Sequence, residues 1–149
     1  RYGIEAQSEP PYELISSSNW TVEEMELCRR LSAAVDLFYN SGRAVVFFPA
    51  IMHALQIPPS ELFEDFFKWV LQQEGVEYHD LMLTDRWAAD DVYRMLQGYL
   101  CSQLERTGQG HLTSVFLDLL CYVFCGEAKT SHIVNHCGKC ITRGIGQPV

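Results

Sequence analysis

The sequence predicts an all-α fold: a single compact bundle of about five helices preceded by an extended N-terminal tether. Three observations carry that expectation. Apolar residues recur at spacings of three and four through most of residues 21–124, the period of one helix face. Pro, Gly and capping residues interrupt those stretches where helices start and stop. The 149 residues are 48% hydrophobic and 12% aromatic, enough material for one core and one ordinary domain.

Residues 1–20 are rich in Pro, Ser and Glu around a few aromatics, and Pro10-Pro11 enforces extended backbone that cannot enter a helix. The segment reads as a linker arriving from a preceding domain. The chain opens at Arg1 and not at a methionine, which reads as a piece cut from a longer protein. Residues 21–149 are expected to form the helical domain, with a Cys/His-containing tail at 125–149. Thr21 followed by Glu24 is a capping-box pattern, in which hydroxyl and carboxylate satisfy first-turn amides. It predicts a helix from about Val22 to Tyr39, with Leu27, Leu31, Val35 and Phe38 as its buried stripe and Asn40-Ser41-Gly42 as a left-handed stop.

Ala44 to Leu55 admits two readings. Val45, Val46, Phe47 and Phe48 favour a strand, whereas Pro49 breaks continuous pairing, and helix is preferred. At Pro58-Pro59-Ser60, Ser60 is the expected cap, Glu61 complements the helix dipole, and Leu62, Phe63, Phe66, Phe67, Val70 and Leu71 make a broad apolar face that ends at Gly75. A loop follows through Tyr78 to Leu83. Thr84 or Asp85 then caps a helix reaching about Glu105, with Val92, Leu96, Tyr99 and Leu100 inward and Gly108 closing it. Leu112 to Phe124 makes the fifth helix, before a short, Gly-rich, mildly basic tail.

A net charge of −8, with the eleven Lys and Arg scattered, argues against a phosphate-binding face and so against nucleic acid. The apolar runs Ala44 to Phe48 and Val115 to Phe124 fall short of the roughly 20 residues needed to cross a bilayer. The polar start lacks the pattern of a signal peptide, which makes the cytoplasm the expected compartment. There the six cysteines (Cys28, Cys101, Cys121, Cys125, Cys137, Cys140) are expected as thiols or metal ligands.

The sharpest chemical constellation is SHIVNHCGKC, holding His132, His136, Cys137 and Cys140. Cys137 and Cys140 have the spacing at which two thiolates share a tetrahedral metal, and His132 or His136 supplies imidazole nitrogen, so the set is half of a zinc site. A second knuckle is missing, because Cys121 and Cys125 lie four apart in an apolar helical run. The competing reading fills core with the helical cysteines and leaves the CxxC in a redox-sensitive or flexible tail. An iron–sulfur cluster on Cys121, Cys125, Cys137 and Cys140 matches no established spacing. The acid pairs Glu23-Glu24, Glu64-Asp65 and Asp90-Asp91 diverge by about 100° on a helix and read as solvated edges. His53, His79 and His111 are isolated, and no P-loop or catalytic triad is present.

Several elements resemble the C-terminal helical accessory domain, a domain of unknown function, of cobalamin-binding radical S-adenosylmethionine (SAM) Fe-S oxidoreductase proteins. They are Pro10-Pro11-Tyr12-Glu13, Asn19-Trp20, Phe38-Tyr39-Asn40-Ser41-Gly42 and the block from Pro58 to Phe67. The resemblance covers roughly the first half of the chain. It implies that the chain has no catalytic or cofactor-binding residues of its own and packs on the radical SAM barrel of the same polypeptide. SAM, cobalamin and a 4Fe-4S cluster would then be held upstream. The CxxxCxxC of such barrels is absent here, since position 128 is Ala128. Exposed aromatics such as Tyr2, Tyr12 and Trp20 are the expected contacts with the neighbouring domain. The alternative is a free-standing helical interaction module with a small structural zinc site in its tail.

Overall fold

The computed structural model describes residues 3–10, 12–41, 44–73 and 75–127, with side chains as far as residue 124. Six α-helices and one two-stranded sheet make up the described chain, so the all-α expectation holds.

The N-terminal stretch folds back on itself as a hairpin, with Pro10 in the turn between the strands. Strand β1 (Glu5–Ala6) pairs antiparallel with β2 (Leu14–Ser16), Glu5 opposite Ser16 and Ala6 opposite Leu14, with an irregular register between the two pairs. At the tip, Tyr12 takes left-handed backbone (φ 57°) and donates its N–H to Glu9 at 3.0 Å. Ser17 and Trp20 then bridge through reciprocal backbone bonds of 2.9 and 3.3 Å.

Helix α1 (Val22–Val35) starts from the expected capping box: the Glu24 N–H donates to the Thr21 hydroxyl at 3.2 Å, and the Thr21 N–H donates to the Glu24 carboxylate at 2.8 Å. After Val35 the winding widens into a π-helical segment, Asp36–Ser41. The buried set is Ala33, Ala34, Leu37 and Phe38, while Leu27 remains 37% exposed. Of the expected stripe, Phe38 is fully buried, Leu31 and Val35 pack half-buried against the core and Leu27 is exposed, while Ala33, Ala34 and Leu37 join the buried set.

Residues 44–55 are helical, not strand: a 3₁₀ turn at Ala44–Val46 precedes α2 (Phe48–Leu55). Pro49 sits in the first turn, where a missing N–H costs no intrahelical bond. Helix α3 (Pro59–Leu71) begins one residue before the expected cap. Pro58 holds the cap position, Pro59 opens the helix, and Ser60 lies inside the first turn. The helix ends at Leu71, and Gly75 takes its left-handed conformation (φ 78°) in the turn beyond.

The expected loop at 78–83 contains a short helix, α4 (Tyr78–Met82), held by the fully buried Leu81 and by Trp87, whose indole N–H donates to the Asp80 carbonyl at 3.1 Å. Thr84–Arg86 forms a separate 3₁₀ turn, so neither Thr84 nor Asp85 caps the next helix, α5 (Ala89–Arg106). Gly108, at φ 73°, closes it as expected. The last element, α6 (Thr113–Glu127), buries Phe116, Leu120, Val123 and Phe124.

Packing runs α1 on α3, α3 on α5 and α5 on α6. Phe38 is the hub: its ring meets Phe66, Phe63 and Tyr99 edge-on at 5.1, 6.0 and 6.0 Å. Such edge-to-face pairs each add about 0.5–1.5 kcal/mol beyond the area they bury.

Candidate functional site

Arg29 ties the hairpin to α1. Arg29, two turns into α1, directs its guanidinium at three acceptors: the Glu13 carboxylate at 3.4 Å, the Glu26 carboxylate at 3.3 Å and the Leu14 backbone carbonyl. Ser16 adds a hydroxyl bond to Glu5 at 3.1 Å. The fixed hairpin holds large apolar side chains outward: Ile4 and Tyr12 are each 63% exposed, Trp20 is 49% exposed, and Val22 is also exposed. Gly3 lies against Ser18 and Ser17 pairs with Trp20, so the chain before β1 and the turn after β2 meet at one end of the hairpin, while Tyr12 stands at its tip. An arrangement of this kind offers contact area and carries no nucleophile. Its chemistry is that of recognition, since Tyr and Trp bury large area at small entropic cost.

A second polar constellation joins α3 to α5. Gln103, 3% exposed, donates to the Asp65 carboxylate at 2.6 Å. Arg106 donates to the same oxygen at 2.9 Å and to the Gln103 amide oxygen at 3.1 and 2.5 Å. The Tyr99 hydroxyl donates to the Leu62 carbonyl at 3.2 Å. Burial first, and the Asp65 charge second, push that hydroxyl well above its ordinary pKa of 10.0. Among the described residues no buried side-chain nitrogen or oxygen lacks a partner. The cluster therefore acts as a latch between helices, with its donors and acceptors spent on one another.

Of the cysteine–histidine set proposed as metal ligands, His132, His136, Cys137 and Cys140 lie outside the described residues. Among the described residues no group of three or more His, Cys, Asp or Glu is placed to hold a metal. Cys121, on α6, is disulfide-bonded, which corrects the expectation of a thiol there; Cys28 and Cys101 are thiols. His53, His79 and His111 are exposed. Four of the six paired acids are engaged by local structure: Glu24 in the cap, Glu64 against Lys68 at 2.8 Å, Asp65 in the latch and Asp91 against Arg94 at 2.6 Å. Lys68 holds the Glu64 carboxyl below its ordinary range by hydrogen bond and by charge. Tyr12 and Trp20 are outward, as the sequence implies, while Tyr2 lies outside the described residues. Sequence reasoning missed Arg29 and Gln103, because their partners at Leu14 and Asp65 stand 15 and 38 residues away.

Among the described residues no helix is long and apolar enough to cross a membrane. No curated protein and no solved structure matches the chain. The model of a family described as a protein of unknown function, DUF4080, matches residues 1–143, and the chain belongs to that family.

Proposed function

We propose that this chain is a non-catalytic accessory domain of a cobalamin-binding radical SAM protein, which docks on the barrel of the same polypeptide and helps to shape or close its active site. The observation that carries the reading is the pinned hairpin with Tyr12 and Trp20 held outward. Of the resemblance elements, Tyr12-Glu13 lie at the hairpin's turn and Asn19-Trp20 in the bridged turn that follows β2, whereas the Pro58 to Phe67 block serves the core through Leu62, Phe63, Phe66 and Phe67. One part of the resemblance thus supplies the surface and the other the scaffold that holds it still.

The energetics suit a contact within one chain. Burying a half-exposed aromatic contributes on the order of 1 kcal/mol. Ile4, Tyr12, Trp20 and Val22 together then supply a few kcal/mol, which is weak between free molecules and sufficient at the high effective concentration of a tethered domain. In this reading SAM, cobalamin and the cluster belong to the other domains. The CxxxCxxC of a radical SAM cluster is absent from this chain, since Cys121 and Cys125 are followed by Ala128 where the third thiolate of that pattern would stand.

Calorimetric titration of this chain with SAM and with cobalamin tests the assignment. Neither is expected to bind; stoichiometric, tight binding of either would place cofactor chemistry in this domain and contradict the reading.

A further inference from the structure

We propose that Cys121 is joined by a disulfide to Cys137 or Cys140, and that this CxxC pair is a thiol–disulfide exchange site and not two ligands of a resident metal. The inference is independent of the docking reading. Cys121 is disulfide-bonded within a single chain, and Cys28 and Cys101 are thiols, so its partner is Cys125, Cys137 or Cys140. Cys125 stands four positions further along the same helix, α6. At that spacing the Cβ atoms of an α-helix are about 5–6 Å apart, whereas a disulfide holds them at about 3.5–4.5 Å. Helical spacing therefore excludes Cys125 and leaves the CxxC, whose two cysteines lie outside the described residues.

The length of chain beyond α6 permits the bond. From Cys121 to the end of the helix at Glu127 the axis advances about 9 Å. The stretch from Glu127 to Cys137 can extend to about 35 Å, several times what the return requires. Cys121 is also reachable. It is half-buried between the fully buried Leu120 and the exposed Tyr122, at the margin of the packed face of α6.

That bond uses only one sulfur of the CxxC, and the other stands three residues away in the spacing at which two cysteines pair with each other. Its thiolate attacks the bonded neighbour and the bond to Cys121 breaks. The Cys121 sulfur leaves as a thiolate and takes up the proton that the attacking thiol lost, while a Cys137–Cys140 disulfide forms. No oxidant or reductant is consumed. A dithiol reductant supplies the two electrons that open either bond, and only in that reduced state are both CxxC sulfurs available to a metal.

Non-reducing tryptic mapping of the full chain, with thiols trapped by N-ethylmaleimide at lysis, tests the assignment. Cleavage at Arg106, Lys129, Lys139 and Arg143 places Cys121 and Cys125 in peptide 107–129, Cys137 in 130–139 and Cys140 in 140–143. Peptide 107–129 is expected to be linked to 130–139 or to 140–143, with the link kept in Cys125→Ser and lost in Cys121→Ser. When the untrapped chain stands under argon, part of that link should pass to one between 130–139 and 140–143. The conversion should run more than tenfold faster at pH 8.5 than at pH 6.5, as the thiolate fraction of an ordinary cysteine rises. Neither Cys137→Ser nor Cys140→Ser should release the Cys121 thiol under the same conditions. A bond closed within 107–129, six trapped thiols, one zinc per chain that is lost in Cys137→Ser, or release of Cys121 in both serine variants would overturn the proposal.

Discussion

Gly98 illustrates how a single missing side chain sets the distance between two helices. A Cβ built there meets the tip of the Trp69 ring at 2.7 Å, closer than real contacts allow, so α3 and α5 approach as they do because position 98 is empty. Alanine would recover about 1 kcal/mol of helix propensity and lose it again to the clash. Valine recovers little propensity and adds bulk, so Gly98→Val should lower stability by about 2 kcal/mol in urea unfolding. Tyr99, whose ring lies 5.9 Å from that of Trp69, makes a separate prediction in pH. Its folded-state pKa is raised, so the neutral hydroxyl is favoured in the native protein. Stability from this group is fully present below the ordinary tyrosine pKa of 10.0 and is lost as pH rises above it, because the unfolded chain ionises first. Urea midpoints measured from pH 8 upward should fall at the alkaline end, and Tyr99→Phe should flatten that fall.

At the scale of elements, the cap of α1 carries the simplest prediction: Thr21→Ala removes the hydroxyl acceptor of the Glu24 N–H and should cost about 1 kcal/mol. That cap was legible in the sequence because its chemistry is local, four consecutive residues satisfying one another. The inward faces of α3 and α5 were legible for a related reason, since periodicity records burial wherever a helix is packed along one side. What local pattern does not record is where a helix stops when its neighbours decide. Leu27, in the first turns of α1, remains exposed although it lies on the expected stripe, the helix passes into a π-helical segment at Asp36–Ser41 without a local signal, and a helix that buries Leu81 occupies an expected loop. The start of α5 at Ala89, without a side-chain cap, gave no signal for a sequence reading to find. The candidate site divides in the same way. Outward Tyr12 and Trp20 followed from residue type and position in a proline-bearing segment, but the hairpin that fixes them depends on Arg29 reaching across to Leu14 and Glu13.

For the whole molecule, the core and the face perform separate tasks. The interior is filled by aromatic packing around Phe38 and by the Asp65, Gln103 and Arg106 latch, with every buried side-chain polar atom among the described residues partnered. The apolar side chains of the N-terminal hairpin are the surface proposed above to dock, while Val46, Val115 and Tyr122 are exposed elsewhere on the described bundle. The match to the DUF4080 family covers residues 1–143, so hairpin and bundle both lie within it. Hydroxyl-radical footprinting of Trp20 and Tyr12, compared between this chain alone and the longer polypeptide that the proposal joins to a radical SAM barrel, tests the central claim most directly. Docking predicts that both residues are oxidised readily in the isolated chain and protected several-fold in the longer polypeptide, while exposed Tyr122 on α6 reacts equally in both. Equal oxidation of Trp20 and Tyr12 in the two samples would contradict it.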